Sequence, residues 1–208
     1  WWAPALGKAA MKVGSVIMWA TDLQPFFMGI LVSVFVGIAL TLPISSAAIC
    51  AALGLTGLAG GAAVAGCCAQ MVGFAVMSFR ENKWGGLVSQ GIGTSMLQMG
   101  NIVRNPRIWI APIVTSAITG PIATCLFRLQ MNGTAVSSGM GTCGFVGQIG
   151  VYTGWMNDIA EGTKTAVTAM DWAGLFLISF ILPAVLCPLI NMFVRKLGWV
   201  KDGDMTLS

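Results

Sequence analysis

The sequence has no histidine, a single tyrosine, and charge at only 9% of its 208 positions. An ordinary soluble domain carries charge at about 25% of positions, so this chain lacks the polar surface that water requires. Without histidine the most frequent general base is missing, and no paired carboxylates replace it; no catalytic residue is expected. The six cysteines, Cys50, Cys67, Cys68, Cys125, Cys143 and Cys187, include no C-x-x-C pair. They lie in or beside apolar runs, where cysteine behaves as a small hydrophobe, so neither metal nor cofactor is expected. The basic residues flank apolar stretches instead of gathering among aromatics, which argues against nucleic acid as a partner. The seven acidic residues (Asp22, Glu81, Asp158, Glu161, Asp171, Asp202 and Asp204) fall outside the apolar runs. Proton coupling through a buried carboxylate therefore has little support.

What the chain does contain is apolar: 56% hydrophobic residues, with 27 glycines and 13 methionines, spread through several runs of membrane-spanning length. The fold expected is an all-α integral membrane protein of about four transmembrane helices, an interfacial helix and two Gly-rich re-entrant segments. Residues 1–24 read as an interfacial amphipathic segment, with Lys8 and Lys12 turned toward lipid head groups; residues 25–208 form the transmembrane, transporter-like domain. Spans are expected over 26–42, 61–79, 108–127 and 172–194. Pro43 ends the first, Arg80-Glu81-Asn82-Lys83 stops the second, and prolines 112, 121, 183 and 188 interrupt the others. Residues 44–60 read as a short broken helix or turn. Residues 85–102 and 139–154 are apolar yet too glycine-rich and short to cross comfortably, so both are expected to re-enter.

Charge placement agrees with this scheme, because cytoplasmic flanks accumulate Lys and Arg. Four crossings leave Lys8, Lys12, Arg80, Lys83, Arg104, Arg107, Arg195, Lys196 and Lys201 inside, with the C-terminus, and only Arg128 and Lys164 outside. A fifth crossing by residues 85–102 would separate Arg104 and Arg107 from Arg80 and Lys83. The chain begins Trp1-Trp2, shows no cleavable signal peptide, and is short for a complete transporter; further N-terminal sequence is expected.

The re-entrant segments share a near-repeat. Gly91-Ile92-Gly93-Thr94-Ser95 is followed by Gln98, and Gly139-Met140-Gly141-Thr142-Cys143 by Gln148. Glycine permits tight non-helical backbone, which survives at membrane depth only when buried in protein or lining a wet cavity. Transporters bring such broken elements together near the midplane to bind substrate. Gly91, Gly93, Gly139 and Gly141 would then offer peptide groups, and Thr94, Ser95, Gln98, Thr142 and Gln148 side chains, to a neutral sugar or polyol. In a chain with 27 glycines the repeat can equally be coincidence. Three further residues are secondary candidates. Gln70, polar within the second span, needs a partner and reads first as an interhelical hydrogen bond. Ser45 and Ser46 either expose a helix N-terminus to solute or simply cap it.

The blocks LPISSAAI, GCCAQM, GxGTSMLQ, NIVRNPxIWI and GMGTxGxVGQIG, spread over most of the chain, make it similar to the phosphotransferase-system (PTS) enzyme IIC type 2 family, which includes the PfoR-type regulators. Family members are longer, so the chain resembles their C-terminal portion. The resemblance implies a permease component of the bacterial cytoplasmic (inner) membrane. It would act as a homodimer and carry a carbohydrate-like solute that IIA and IIB partners phosphorylate. One departure stands out: well-understood sugar permeases of this system place a glutamate and a histidine near the sugar, and the Gly-rich segments here have neither. A PfoR-like regulator without transport is therefore an alternative, and a channel lined by the two segments is a third.

Overall fold

In lipid every backbone polar group must be satisfied within the protein, so an apolar chain of this kind folds as helices. The computed structural model describes residues 17–207, and the structured elements among them are helical. The expected interfacial helix over 4–20 lies mostly outside the described residues, of which 17–23 are helical. Helices follow as α1 (Pro25–Thr41), α2 (Ser46–Leu53), α3 (Gly57–Met77), α4 (Phe79–Val88), α5 (Met99–Arg104), α6 (Pro106–Leu126), α7 (Ala135–Ser138), α8 (Val146–Ala160) and α9 (Ala169–Lys196). By length and composition α3, α6 and α9 can each cross a membrane; α1, at 17 residues, is shorter and also apolar.

Helix α3 is the axis of the molecule: 94% of an 18-residue apolar stretch of it is buried, against 33% for α9. Glycine and alanine make this burial possible by letting neighbouring backbones close in. A Cβ on Gly66 would collide with the Ser33 carbonyl of α1, and one on Gly120 of α6 with the Gly29 carbonyl of α1. Helices α1, α3 and α6 thus pack backbone to backbone, while Phe35 on α1 and Val185, Leu189 and Phe193 on α9 stay exposed on the outside. Helix α9 carries a π turn, Leu177–Ile181, directly before Pro183. A proline ring cannot fit under a regular helical carbonyl four residues back, and the wider turn makes room for it.

Two segments leave the bundle and return to the end they started from. Beyond α3 the chain runs through α4 and a π turn, Ser89–Gly93, then breaks at Thr94, whose backbone is extended (φ −160°, ψ 141°). It comes back through Ser95–Gln98 and α5. Asn82 at one end of this hairpin and Asn101 and Asn105 at the other all bond the same C-terminal tail, fixing both ends together. The second hairpin begins at Asn132 and ends at Asp158, which share hydrogen bonds of 2.9 and 3.1 Å. Its glycine-rich stretch is irregular only as far as Phe145; from Val146 onward it is helix α8 rather than loop. Gly147, Gly150 and Gly154 recur at helical spacing on one face and pack against Gly141, Ser137 and Asn132, so here glycine serves close packing instead of breaking the helix.

The tail after Gly198 (φ 72°) folds back over the first hairpin. Asn82 donates to the Met205 carbonyl at 2.8 Å, Asn101 to Thr206 at 3.0 Å and Asn105 to Trp199 at 3.0 Å. Met205 is wholly buried in a cluster with Phe74, Ile102 and Ile108. Arg195 bonds both Glu81, at 2.6 Å, and Asp202. These contacts gather Arg80, Lys83, Arg104, Arg107, Arg195, Lys196 and Lys201 at one end of the bundle. If close backbone packing around α3 holds the bundle together, Gly66→Ala lowers stability by about 1–3 kcal/mol. Gly100→Ala, with nothing within 4 Å of its added Cβ, changes it by less than about 0.5 kcal/mol; unfolding in detergent, followed by tryptophan fluorescence, measures both.

Candidate functional site

The two hairpins start from opposite ends of α3, which at 21 residues is about 30 Å long, and their tips touch. The Thr142 hydroxyl donates to the Gly91 carbonyl at 2.6 Å and lies 3.6 Å from the Met71 sulfur. Gly141 (φ 53°) sits so tightly on α3 that a Cβ there would meet Cys67 at 2.6 Å. Cys67 is halfway along α3, so the tips meet near the middle of the bundle. The second tip is a tight reversal: Gly141, Gly144 and Phe145 all have positive φ, and the Gly147 N–H closes it on the Gly141 carbonyl at 3.0 Å. Phe145 (φ 58°) is in a region that disfavours side chains, a local strain that the surrounding packing must hold.

The near-repeat is thus not symmetric in use. Thr142 is buried and bridges the tips, whereas Thr94 is partly exposed and accepts the Met96 N–H at 3.1 Å as a local cap. Gly93 is exposed on the first tip. Gly139 is buried on the second, where its carbonyl accepts the Ser46 hydroxyl at 2.7 Å. Ser45 caps α2 through the Ala48 N–H at 3.1 Å.

Ser95 leads into a buried polar chain. Its hydroxyl is 2.8 Å from that of Thr41 on α1, which is 3.3 Å from Gln70 Oε1 on α3; the Trp109 indole N–H donates to the same oxygen at 2.9 Å. Gln70 Nε2 reaches the Ser116 hydroxyl of α6 at 3.5 Å. Every polar atom of Gln70 has a protein partner, as expected of an interhelical tie. Gln98 is likewise engaged: its amide donates to Gln90 at 2.9 Å and to the Met205 carbonyl at 3.0 Å, and its oxygen accepts from Asn101 at 2.8 Å. The structure therefore separates Gln98 from the meeting point and gives it to the tail.

Gln148 differs. It lies on the first turn of α8, beside the second tip, and its Nε2 donates to the Ser179 hydroxyl at 3.0 Å and approaches the Cys68 sulfur at 3.3 Å. Its Oε1 is buried and has no partner among the described residues. An unmet buried acceptor costs about 1–3 kcal/mol, which sets Gln148 apart from Gln70 and Gln98. A groove of about 280 Å³ runs along the same side, lined by Gln148 with Phe145, Tyr152, Trp172 and Phe180. Sequence reasoning passed over Ser179, Cys68, Thr41 and the amides of Asn82, Gln90, Asn101 and Asn105. Their only signal was a polar side chain inside an apolar run or, for Asn82 and Asn105, among the charges that bound one, and their partners are up to 125 positions away. If Gln98 works for the tail, Gln98→Leu raises amide exchange across residues 199–207 about tenfold, as loss of one or two buried hydrogen bonds predicts, and exchange mass spectrometry reads it.

Comparison with known families matches the phosphotransferase system EIIC model over residues 1–207. Comparison with curated proteins and with solved structures finds no match. The match and the long apolar helices together make this a multi-pass membrane protein, and the chain belongs to the phosphotransferase system EIIC family.

Proposed function

We propose that the chain is the permease component that binds and translocates a small neutral hydroxyl-rich solute, a sugar or polyol, at the meeting point of its two hairpins. One observation carries this reading: the tips touch at mid-bundle through Thr142 and Gly91, next to a buried Gln148 oxygen that lacks a donor. A sugar hydroxyl is such a donor, and it also accepts, so it can replace the Thr142 contact to either tip as they part. Gly91, Gly93, Gly139 and Gly141 supply the pliable backbone, Thr142 and Gln148 the direct contacts. Ser95 and Gln70 brace the first tip through Thr41, while Thr94 caps it, Gln98 ties it to the tail, and Ser46 braces the second tip.

The family context supports a cytoplasmic-membrane location, a homodimer, and IIA and IIB partners that phosphorylate the solute. Clustering of seven basic residues at the tail end of the bundle supports a cytoplasmic C-terminus and four crossings by α1, α3, α6 and α9. A second reading, a PfoR-like membrane regulator without transport, draws on the absence of histidine from the sequence. In sealed proteoliposomes charged with radiolabelled hexoses and hexitols, the permease reading predicts uptake or binding of at least one of them. Thr142→Val and Gln148→Leu are each expected to reduce it about tenfold, the size of one lost hydrogen bond in a dry site. Normal uptake by both variants overturns the site; no flux or binding by the parent, with a partner protein captured from membranes, selects the regulator.

A further inference from the structure

At the end of the bundle opposite the tail, a cavity of about 510 Å³ opens between the end of α6, the chain after it, the end of α8 and the start of α9. Two cations, Arg128 and Lys164, and three carboxylates, Asp158, Glu161 and Asp171, line it. Some of these groups are already matched. Lys164 pairs with Asp171 at 2.7 Å, and the Asp158 carboxylate accepts the Asn132 amide through both oxygens. Arg128 and Glu161 have no side-chain hydrogen bond or ion pair among the described residues. A solvent-exposed five-donor guanidinium and a solvent-exposed carboxylate thus face one space.

The backbone under Arg128 is the second observation. Helix α6 ends with the Leu129 N–H on the Ala123 carbonyl at 2.8 Å, and Arg128 between them is left-handed, with φ 45°. Glycine is the residue that such a helix end favours, because a Cβ there is strained. Burial of Leu129, whose carbonyl lies against Gly61, fixes the turn. The turn therefore needs a left-handed residue but not a charge. Arginine at this position is a poor choice for folding and a good one for reaching into the cavity.

We infer that this cavity is a second binding site, which receives a neutral hydroxyl-rich solute before it reaches the hairpin tips. Arg128 donates to its hydroxyls, and Glu161 and Asp158 accept from them. A vicinal diol donates and accepts within one short span, which suits a wall where donors and acceptors alternate and charges nearly cancel; an anion would face three carboxylates. The cavity stands at the far end of α8 from the tips. From Gln148 to Asp158 is ten residues, about 15 Å of helix. The inference rests on the permease reading for the class of solute.

The full chain in lipid nanodiscs, with sorbitol, mannitol, glucose and galactose as probes, tests it by hydrogen exchange. At least one probe is expected to slow exchange in residues 128–134 and 158–164. Arg128→Gly relieves the left-handed strain, so it melts at or above the parent temperature, yet it weakens that protection about tenfold or more. Thr142→Val leaves protection at this cavity unchanged. No protection by any of the four probes, or parent-like protection in Arg128→Gly, overturns the inference. If a probe protects these residues while the parent shows no uptake, the cavity assignment stands and the permease reading falls; if Arg128→Gly takes up solute normally and no probe protects, the reverse holds.

Discussion

A single hydroxyl-to-carbonyl hydrogen bond, Thr142 to Gly91 at 2.6 Å, joins two chain reversals that enter from opposite ends of a helix about 30 Å long. Irregular backbone is excluded from lipid unless protein covers it, and everything around this contact serves to cover it. Helix α3 supplies a wall of glycine, alanine and cysteine narrow enough for both tips to lie against it. Helices α1, α3 and α6 close the first tip from the side through Thr41, Gln70 and Trp109. The π turn before Pro183 brings Ser179 within 3.0 Å of Gln148 behind the second tip. Apolar packing sets the bundle; the place where the two hairpins meet follows from where backbone is allowed to be non-helical.

Three of the four buried glutamines show how the same side chain takes different work from its surroundings. Gln70 and Gln98 each have every polar atom met by the protein, one tying three helices and the other tying hairpin to tail. Gln148 keeps an unmet oxygen. A buried amide that is fully paired rigidifies, whereas one left short of a donor is destabilising until something binds. The contrast between closed and open amides, rather than their polarity, picks Gln148 out of the set.

Much of this was legible in the sequence. Charge-free runs marked helices α1, α3, α6 and α9, and the placement of Arg104 and Arg107 beside Arg80 and Lys83 already implied that residues 85–102 turn back. The near-repeat located both tips to within a few residues. What sequence could not separate was glycine that bends backbone from glycine that admits a neighbour: Gly144 does the first, Gly147, Gly150 and Gly154 the second, and Gly141 both, and only the packing partner distinguishes them. The tail clamp was equally hidden, since Asn82 and Met205 are 123 positions apart. So was the polar cavity, whose walls come from chain segments read as unrelated loops.

Thiol cross-linking across the tips is the most direct check. With the other five cysteines replaced by alanine, native Cys143 is paired in turn with Gly91→Cys, Ile92→Cys and Gly93→Cys and treated with a short bifunctional thiol reagent. Meeting tips predict efficient cross-linking by at least one pair. No cross-link from any of the three, while an Asn132→Cys and Asp158→Cys control reacts fully, would show that the hairpins stand apart and would contradict the account.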